Sequence, residues 1–376
     1  MALVLNNLSN RPQTHALVIG VGGYPHMPGG VDPRTQVQLD VGVLKQLTSP
    51  APSAVFFTQW LLDRSAAWRA PVGTVDLLVT PAPGQRAGRP ATVRGTPATM
   101  ANIRQAYDAW KQRCDSHPDN IAVFYFCGHG LEKSEQYLLA EDFGADPNNS
   151  WLGSFGFDST RAAFHECKAR TQCFFIDACR VLTTAMLRRE PVTIPLATAA
   201  VDTPDCAFDL TMKASAKNEA ALGSRNAPSY FVRALVRALD GGAAVQGASG
   251  WVVRSGQVAD RITDILRMVK EDQGYSGRCP TLVGTSTELL TVPPPQVELV
   301  LDCAPTEANA VARLSCRRIP SGAGPAEEHL GGPWSQAVEA GYYEAKARFE
   351  DGRFRDTRDE ILVLPPRQRR ELNCTR

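Results

Sequence analysis

Four runs in this chain are apolar almost throughout instead of alternating: Ala16-Leu17-Val18-Ile19-Gly20-Val21, Val75-Asp76-Leu77-Leu78-Val79, Ile121-Ala122-Val123-Phe124-Tyr125-Phe126 and Gln172-Cys173-Phe174-Phe175-Ile176. A strand with one wet face alternates, whereas a continuously apolar strand has to be covered on both faces. Helical patterns fall between the runs. One uses Val37, Val41, Leu44 and Leu47. Another starts near Ala98, capped by Thr96 or Thr99, and is apolar at Ile103, Tyr107 and Trp110. A third spans Thr160–Ala169. Strands alternating with helices predict an α/β fold, a mostly parallel sheet flanked by helices. Tyr137-Leu138-Leu139-Ala140 reads as a short hairpin arm and Leu210–Ala214 as a further strand. Ser229–Leu239 and Val258–Met268 read as helices, and the unit closes near Leu282-Val283.

At 376 residues the chain exceeds the size at which one core stops growing, so a second domain is expected. Val292-Pro293-Pro294-Pro295 marks the break, because consecutive prolines hold the chain extended and cannot continue a helix. Beyond it Val297, Leu299 and Leu301 alternate, as do Tyr343, Ala345, Ala347 and Phe349. The expected organisation is one domain over 1–292 and a small β-sandwich-like domain over 293–376. A helix over Trp334–Glu350 is the competing reading of the last alternation.

Net charge and segment composition narrow the partners. A formal charge of +1 provides no field favouring nucleic acid or an anionic membrane. No stretch approaches the 18 or so apolar residues of a membrane span, and the first residues lack the form of an export signal. The ten cysteines are scattered singly, several within apolar runs, which fits reduced thiols in a cytoplasmic protein. Their spacing offers no structural zinc site, so no metal is expected. Gly20-Val21-Gly22-Gly23-Tyr24-Pro25 lacks the glycine spacing and lysine of a phosphate-binding loop and reads as surface.

In an open parallel sheet, residues just past the carboxyl ends of neighbouring strands converge on one crevice. His129 follows the strand ending at Phe126, and Cys179 follows the strand ending at Ile176, with a single helical crossover between them. Imidazole titrates in the range needed to activate a thiol, so the pair reads as base and nucleophile. Glycines flank His129 and let the backbone approach a substrate, which makes the N–H groups of Gly130 and Cys179 the candidate oxyanion donors.

Tyr125-Phe126-Cys127-Gly128-His129-Gly130 and Phe175-Ile176-Asp177-Ala178-Cys179-Arg180, whose reactive residues stand 50 positions apart, resemble the two catalytic motifs of caspases and metacaspases. The resemblance covers about Thr14 to Ser286. It implies the caspase-like fold of clan CD and a cysteine endopeptidase working as a dyad without a cofactor. Calcium activation, found among metacaspases, maps to no particular residues here. Asp177 and Val181 depart from caspases, which have Gln and Gly at those places, and Asp177 is similar to the metacaspase pattern. That branch implies protein substrates with Arg or Lys before the scissile bond, held by Asp177, with Asp40 as a second pocket carboxylate and Ser215 as a lining residue. Arg188-Arg189, in the long aperiodic segment after Cys179, is then a self-cleavage site. The Ala/Arg-rich chain fits a bacterial member acting in a regulated stress, cell-death or antiviral defence pathway, with the C-terminal domain receiving a regulatory partner. The rival is a pseudoprotease of the same fold kept as a binding scaffold; acyl transfer to an amine would use the same dyad.

Overall fold

A computed structural model describes residues 2–41, 44–85, 95–181, 183, 191–198, 206, 208–215, 224–269, 279–319 and 327–376. Two compact units emerge, one of residues 1–236 and 262–290, the other of residues 237–261 and 291–376.

The chain opens with β1 (Leu3–Asn6), β2 (Thr14–Val21), α1 (Thr35–Val41), α2 (Pro50–Asp63), β3 (Val72–Thr80), α3 (Met100–Cys114) and β4 (Ile121–Gly128). A small antiparallel arm follows, β5 (Gly130–Glu132), β6 (Gln136–Leu139) and β7 (Ser154–Gly156), and then α4 (Phe157–Phe164), β8 (Thr171–Ala178), β9 (Phe208–Lys213) and α5 (Tyr230–Arg237). The hairpin β10 (Ala244–Gly247) and β11 (Gly250–Arg254) precedes α6 (Ser255–Val269), β12 (Thr281–Val283) and β13 (Glu288–Val292).

Seven strands form the central sheet in the order β1-β3-β2-β4-β8-β9-β12. The inner five run parallel, and both edge strands are antiparallel to their neighbours. The expected parallel sheet with helices on both faces is therefore present. On one face Tyr107 and Trp110 of α3 and Phe157 and Phe164 of α4 pack against Leu17, Ile19, Phe124, Phe126, Phe174 and Ile176. On the other, Phe57 of α2 meets Tyr125 and Phe175 at ring-centroid distances of 5.0 and 6.1 Å.

Helix α2 lies where the sequence reading places no helix. Pro50 and Pro52 suggest a break, yet they fall in the first turn, where a missing N–H costs nothing. This helix presses onto the end of β2. A Cβ at Gly20 would stand 2.6 Å from the Pro50 carbonyl oxygen and 2.7 Å from Ala54 Cβ, so only glycine permits the approach. Helix α1 stops at Val41, leaving Leu44 and Leu47 outside the helix expected to contain them. The third crossover helix starts earlier than expected, at Phe157, because Glu135 from the β5–β6 turn accepts the Ser159 N–H at 2.9 Å in its first turn. Thr99 caps α3 by accepting the Asn102 N–H.

The remaining strands are β14 (Gln296–Ala304), β15 (Arg313–Ile319), β16 (Glu327–Leu330), β17 (Trp334–Glu339), β18 (Gly341–Arg348), β19 (Thr357–Val363) and β20 (Arg367–Asn373). One sheet runs β17-β14-β20 and the other β16-β15-β18-β19. The strand reading of residues 334–350 holds, and the helix reading fails, because Tyr343, Ala345 and Ala347 are buried at a period of two. One pairing departs from an antiparallel arrangement: β14 and β20 run parallel.

Trp110 is fully buried, stacks on Phe164 at 4.4 Å and donates its Nε1–H to the His15 carbonyl at 2.9 Å. Trp110→Ala removes ring packing and a satisfied donor together, and should lower the unfolding free energy by about 3–5 kcal/mol in urea titration.

Candidate active site

Strands β4 and β8 pair in parallel with Gly128 opposite Ala178. His129 and Cys179 are the next residue of each strand, so the two stand side by side where the sheet ends. On the far side of β8, Ala214 N–H donates to the Ile176 carbonyl at 2.8 Å, which brings Ser215 alongside Ala178.

His129 is 7% exposed. Its Nε2 lies 2.7 Å from the Lys45 carbonyl oxygen. A carbonyl can only accept, so Nε2 carries the proton and Nδ1 keeps its lone pair. Burial pulls the imidazole down to about 4, with the Lys45 carbonyl opposing that shift, so the ring is neutral at ordinary pH. Tyr24 packs its ring 4.9 Å from the imidazole, and its hydroxyl accepts the His129 backbone N–H at 2.9 Å. Tyr24 and Lys45 thus orient the His129 ring; residues 20–24, which the sequence reading places at the surface, are buried because β2 ends there and Tyr24 packs under the imidazole, and Lys45 was not singled out. Lys45 acts through its carbonyl, which every residue type has, so no side-chain signal marks it.

Cys179 is half-buried. Both carbonyls around it meet side-chain donors. Ser215 Oγ–H donates to the Ala178 oxygen at 3.2 Å, and Gln136 Nε2–H donates to the Cys179 oxygen at 3.2 Å. A trans peptide points its C=O and N–H to opposite sides. With the Ala178 carbonyl turned toward Ser215 and β9, the Cys179 N–H projects toward the β4 side, where His129 and Gly130 stand. Gly130 is tied to the same spot, since a Cβ there would meet the Cys179 oxygen at 2.5 Å. The residue after Cys179 is held as well. Arg180 grips Glu132 of β5 through Nε and Nη2, and Glu132 N–H donates to the Val181 carbonyl at 3.2 Å.

Asp177 is 4% exposed and turns to the α2 face of the sheet. It accepts from the Tyr125 hydroxyl at 2.9 Å, from the Ser229 hydroxyl and from the Cys127 thiol. Burial raises its carboxyl above the ordinary range, and those three hydrogen bonds oppose the rise. All three donors are neutral, and Asp177 makes no ion pair among the described residues. Ser229 also receives the Val232 N–H at the start of α5, and its own N–H donates to Ser53 of α2. Ser229, distant in sequence, went unread because nothing local distinguishes it from an ordinary helix cap.

Of the other sequence-derived site residues, Ser215 is buried with its hydroxyl on the Ala178 carbonyl. Asp40 lies on α1, with its side chain outside the described residues. Arg188 and Arg189 also lie outside them. Among the described residues no group of three or more His, Cys, Asp or Glu side chains could hold a metal ion. No described helix is long and apolar enough to cross a membrane.

Residues 13–276 match the family model described as the caspase domain of the C14 peptidases. A curated relative, the uncharacterized protein y4kE of Sinorhizobium fredii (strain NBRC 101917 / NGR234), is 33% identical over 187 residues. That stretch is 48% of this chain, and the chain spans about half of the relative's length, 53%. The matched region contains β2 through β9, hence both strand ends that carry His129 and Cys179, and the chain belongs to the caspase family of clan CD cysteine peptidases.

Proposed function

We propose that the chain is a cysteine endopeptidase in which Cys179 is the nucleophile and His129 the base. The observation that carries this reading is the β4–β8 register, which sets a neutral imidazole, oriented by the Lys45 carbonyl, beside the thiol. Nδ1 takes the thiol proton as the sulfur attacks the peptide carbonyl carbon, and the oxyanion is met by the Gly130 and Cys179 N–H groups. The imidazolium returns the proton to the departing amide nitrogen as the C–N bond breaks. Water, giving a proton to the same nitrogen of His129, then hydrolyses the thioester. Both reacting residues and the orienting carbonyl are present, which favours this reading over a scaffold that has lost its chemistry.

Arg or Lys before the scissile bond is the proposed specificity. Its support is Asp177, a buried carboxylate beside the nucleophile whose partners are all uncharged. A substrate guanidinium would supply the missing counter-charge, and burial without one is costly. Asp40 is the proposed second carboxylate, and Arg188-Arg189 the site at which the same specificity would act on the chain itself. Residues 293–376 would form an accessory domain that receives a regulatory partner. A cytoplasmic stress, cell-death or antiviral defence pathway is the setting proposed by family analogy.

Fluorogenic peptides ending in Arg or Lys should be cleaved and those ending in Asp should not, with Cys179→Ala and His129→Ala each losing at least about 10⁴-fold in kcat. Cleavage after Asp alone would overturn the specificity, and activity surviving in Cys179→Ala would overturn the nucleophile.

The two titrations should separate between KM and kcat. Ionised Asp177 is needed to hold a cation, so KM for an Arg peptide should rise as pH falls through the raised carboxyl range. Neutral His129 is needed for chemistry, so its contribution to kcat should persist until pH nears about 4. Asp177→Asn should raise KM for Arg peptides by about 10²-fold and abolish the acid limb in KM. A steady-state pH profile of both proteins reads this out, and an unchanged KM in Asp177→Asn would remove Asp177 from specificity.

A further inference from the structure

The sheet ladder ends at Cys179. The Ile176 carbonyl takes a backbone donor, the Ala214 N–H, whereas the next carbonyl turned to that side, Ala178 O, takes the Ser215 hydroxyl. On the opposite side the Cys179 oxygen takes the amide of Gln136, a fully buried side chain reaching from β6. The Gln136 Oε1 is itself buried with no hydrogen-bond partner among the described residues, a desolvation cost that a purely packing side chain would not carry. Two side chains thus bind the carbonyls on either side of one Cα, where backbone rungs would otherwise hold them.

We infer that Gln136 and Ser215 are positioning residues that clamp the two peptide planes flanking Cys179 and so fix the direction of its N–H toward the oxyanion of an acyl-transfer transition state. The inference rests on the proposed dyad chemistry and adds to it two residues that act through the backbone carbonyls on either side of the Cys179 Cα. Ser215 acts on the N–H plane directly, because the Ala178 carbonyl and Cys179 N–H belong to one peptide. Gln136 acts on the following plane, fixing the other torsion of Cys179 and with it the site of Sγ. An oxyanion donor is effective only when already aimed at the developing charge, so releasing either plane costs acyl transfer while leaving the thiol's ionisation alone.

Two reagents separate these effects without requiring that any peptide be recognised. p-Nitrophenyl acetate acylates the thiol through an oxyanion, whereas iodoacetamide alkylates it by displacement and forms none. Ser215→Ala and Gln136→Leu should each slow Cys179 acylation about tenfold, a fraction of what losing an oxyanion donor itself costs, and leave alkylation within about twofold of wild type. Gln136→Glu supplies a rescue: ionised it cannot donate, protonated it can. Its acylation rate relative to wild type should therefore climb as pH is lowered through the range, raised by burial above that of an ordinary carboxyl, in which the Glu regains its proton. If Gln136→Leu does not fold, Ser215→Ala and Gln136→Glu decide. An unchanged ratio of acylation to alkylation in the folded variants, or a parallel fall in both rates, would overturn the clamp. Failure of wild type to cleave any peptide while acylation follows the expected pattern would instead overturn the peptidase reading and leave the clamp standing.

Discussion

Parallel strands deliver their carboxyl ends to the same side of a sheet, and the pairing of β4 with β8 turns that geometric necessity into the adjacency of His129 and Cys179. With Gly128 opposite Ala178, the next residue on each strand is a neighbour of the other whatever the loops do. Other features of the site follow from that adjacency. Gly130 has to be glycine because the Cys179 carbonyl lies against it, and Arg180 reaches Glu132 because β5 leaves β4 beside the chain leaving β8. The β2 side contributes two segments of its connection to β3, one carrying Tyr24 before α1 and one carrying Lys45 after it, and together they orient the imidazole. The strand order explains why this connection is available: the chain passes from β2 outward to β3 and then returns to β4 on the other flank of β2, opening the crevice at that reversal.

Period and motif made the centre of the sheet legible. β2, β3, β4 and β8 are almost uniformly buried, and a continuously apolar run is what such burial demands of a sequence. Helix α2 escaped because its prolines occupy the one place in a helix where they do no harm, and because its burial is broad: Ala51, Ala54, Val55, Phe57, Trp60 and Leu61 leave little contrast between faces. At the site, His129 and Cys179 were conspicuous in the sequence because their side chains stand at a family spacing. The Lys45 carbonyl, Gln136 and Ser229 were not. Each acts through a contact with residues 43 to 84 positions away, or 52 in the case of Ser229 and Asp177, and no local pattern encodes such a meeting.

Charge is distributed unequally around the crevice, and burial explains the sense of each shift. The imidazole is stripped of water and held neutral, ready to accept a proton without first losing one. Asp177 is also stripped of water, but three neutral donors, Ser229, Tyr125 and Cys127, support its ionised form without cancelling its charge. Elsewhere in this unit buried carboxylates are treated differently: Asp76 is paired with Arg113, Asp209 with Arg161 and Glu132 with Arg180. A chain that routinely neutralises buried acids with arginine has left Asp177 with hydroxyls and a thiol. A full ion pair would have been the cheaper way to bury that carboxylate, so leaving it without one is consistent with the proposed basic specificity, in which the cation comes with the substrate.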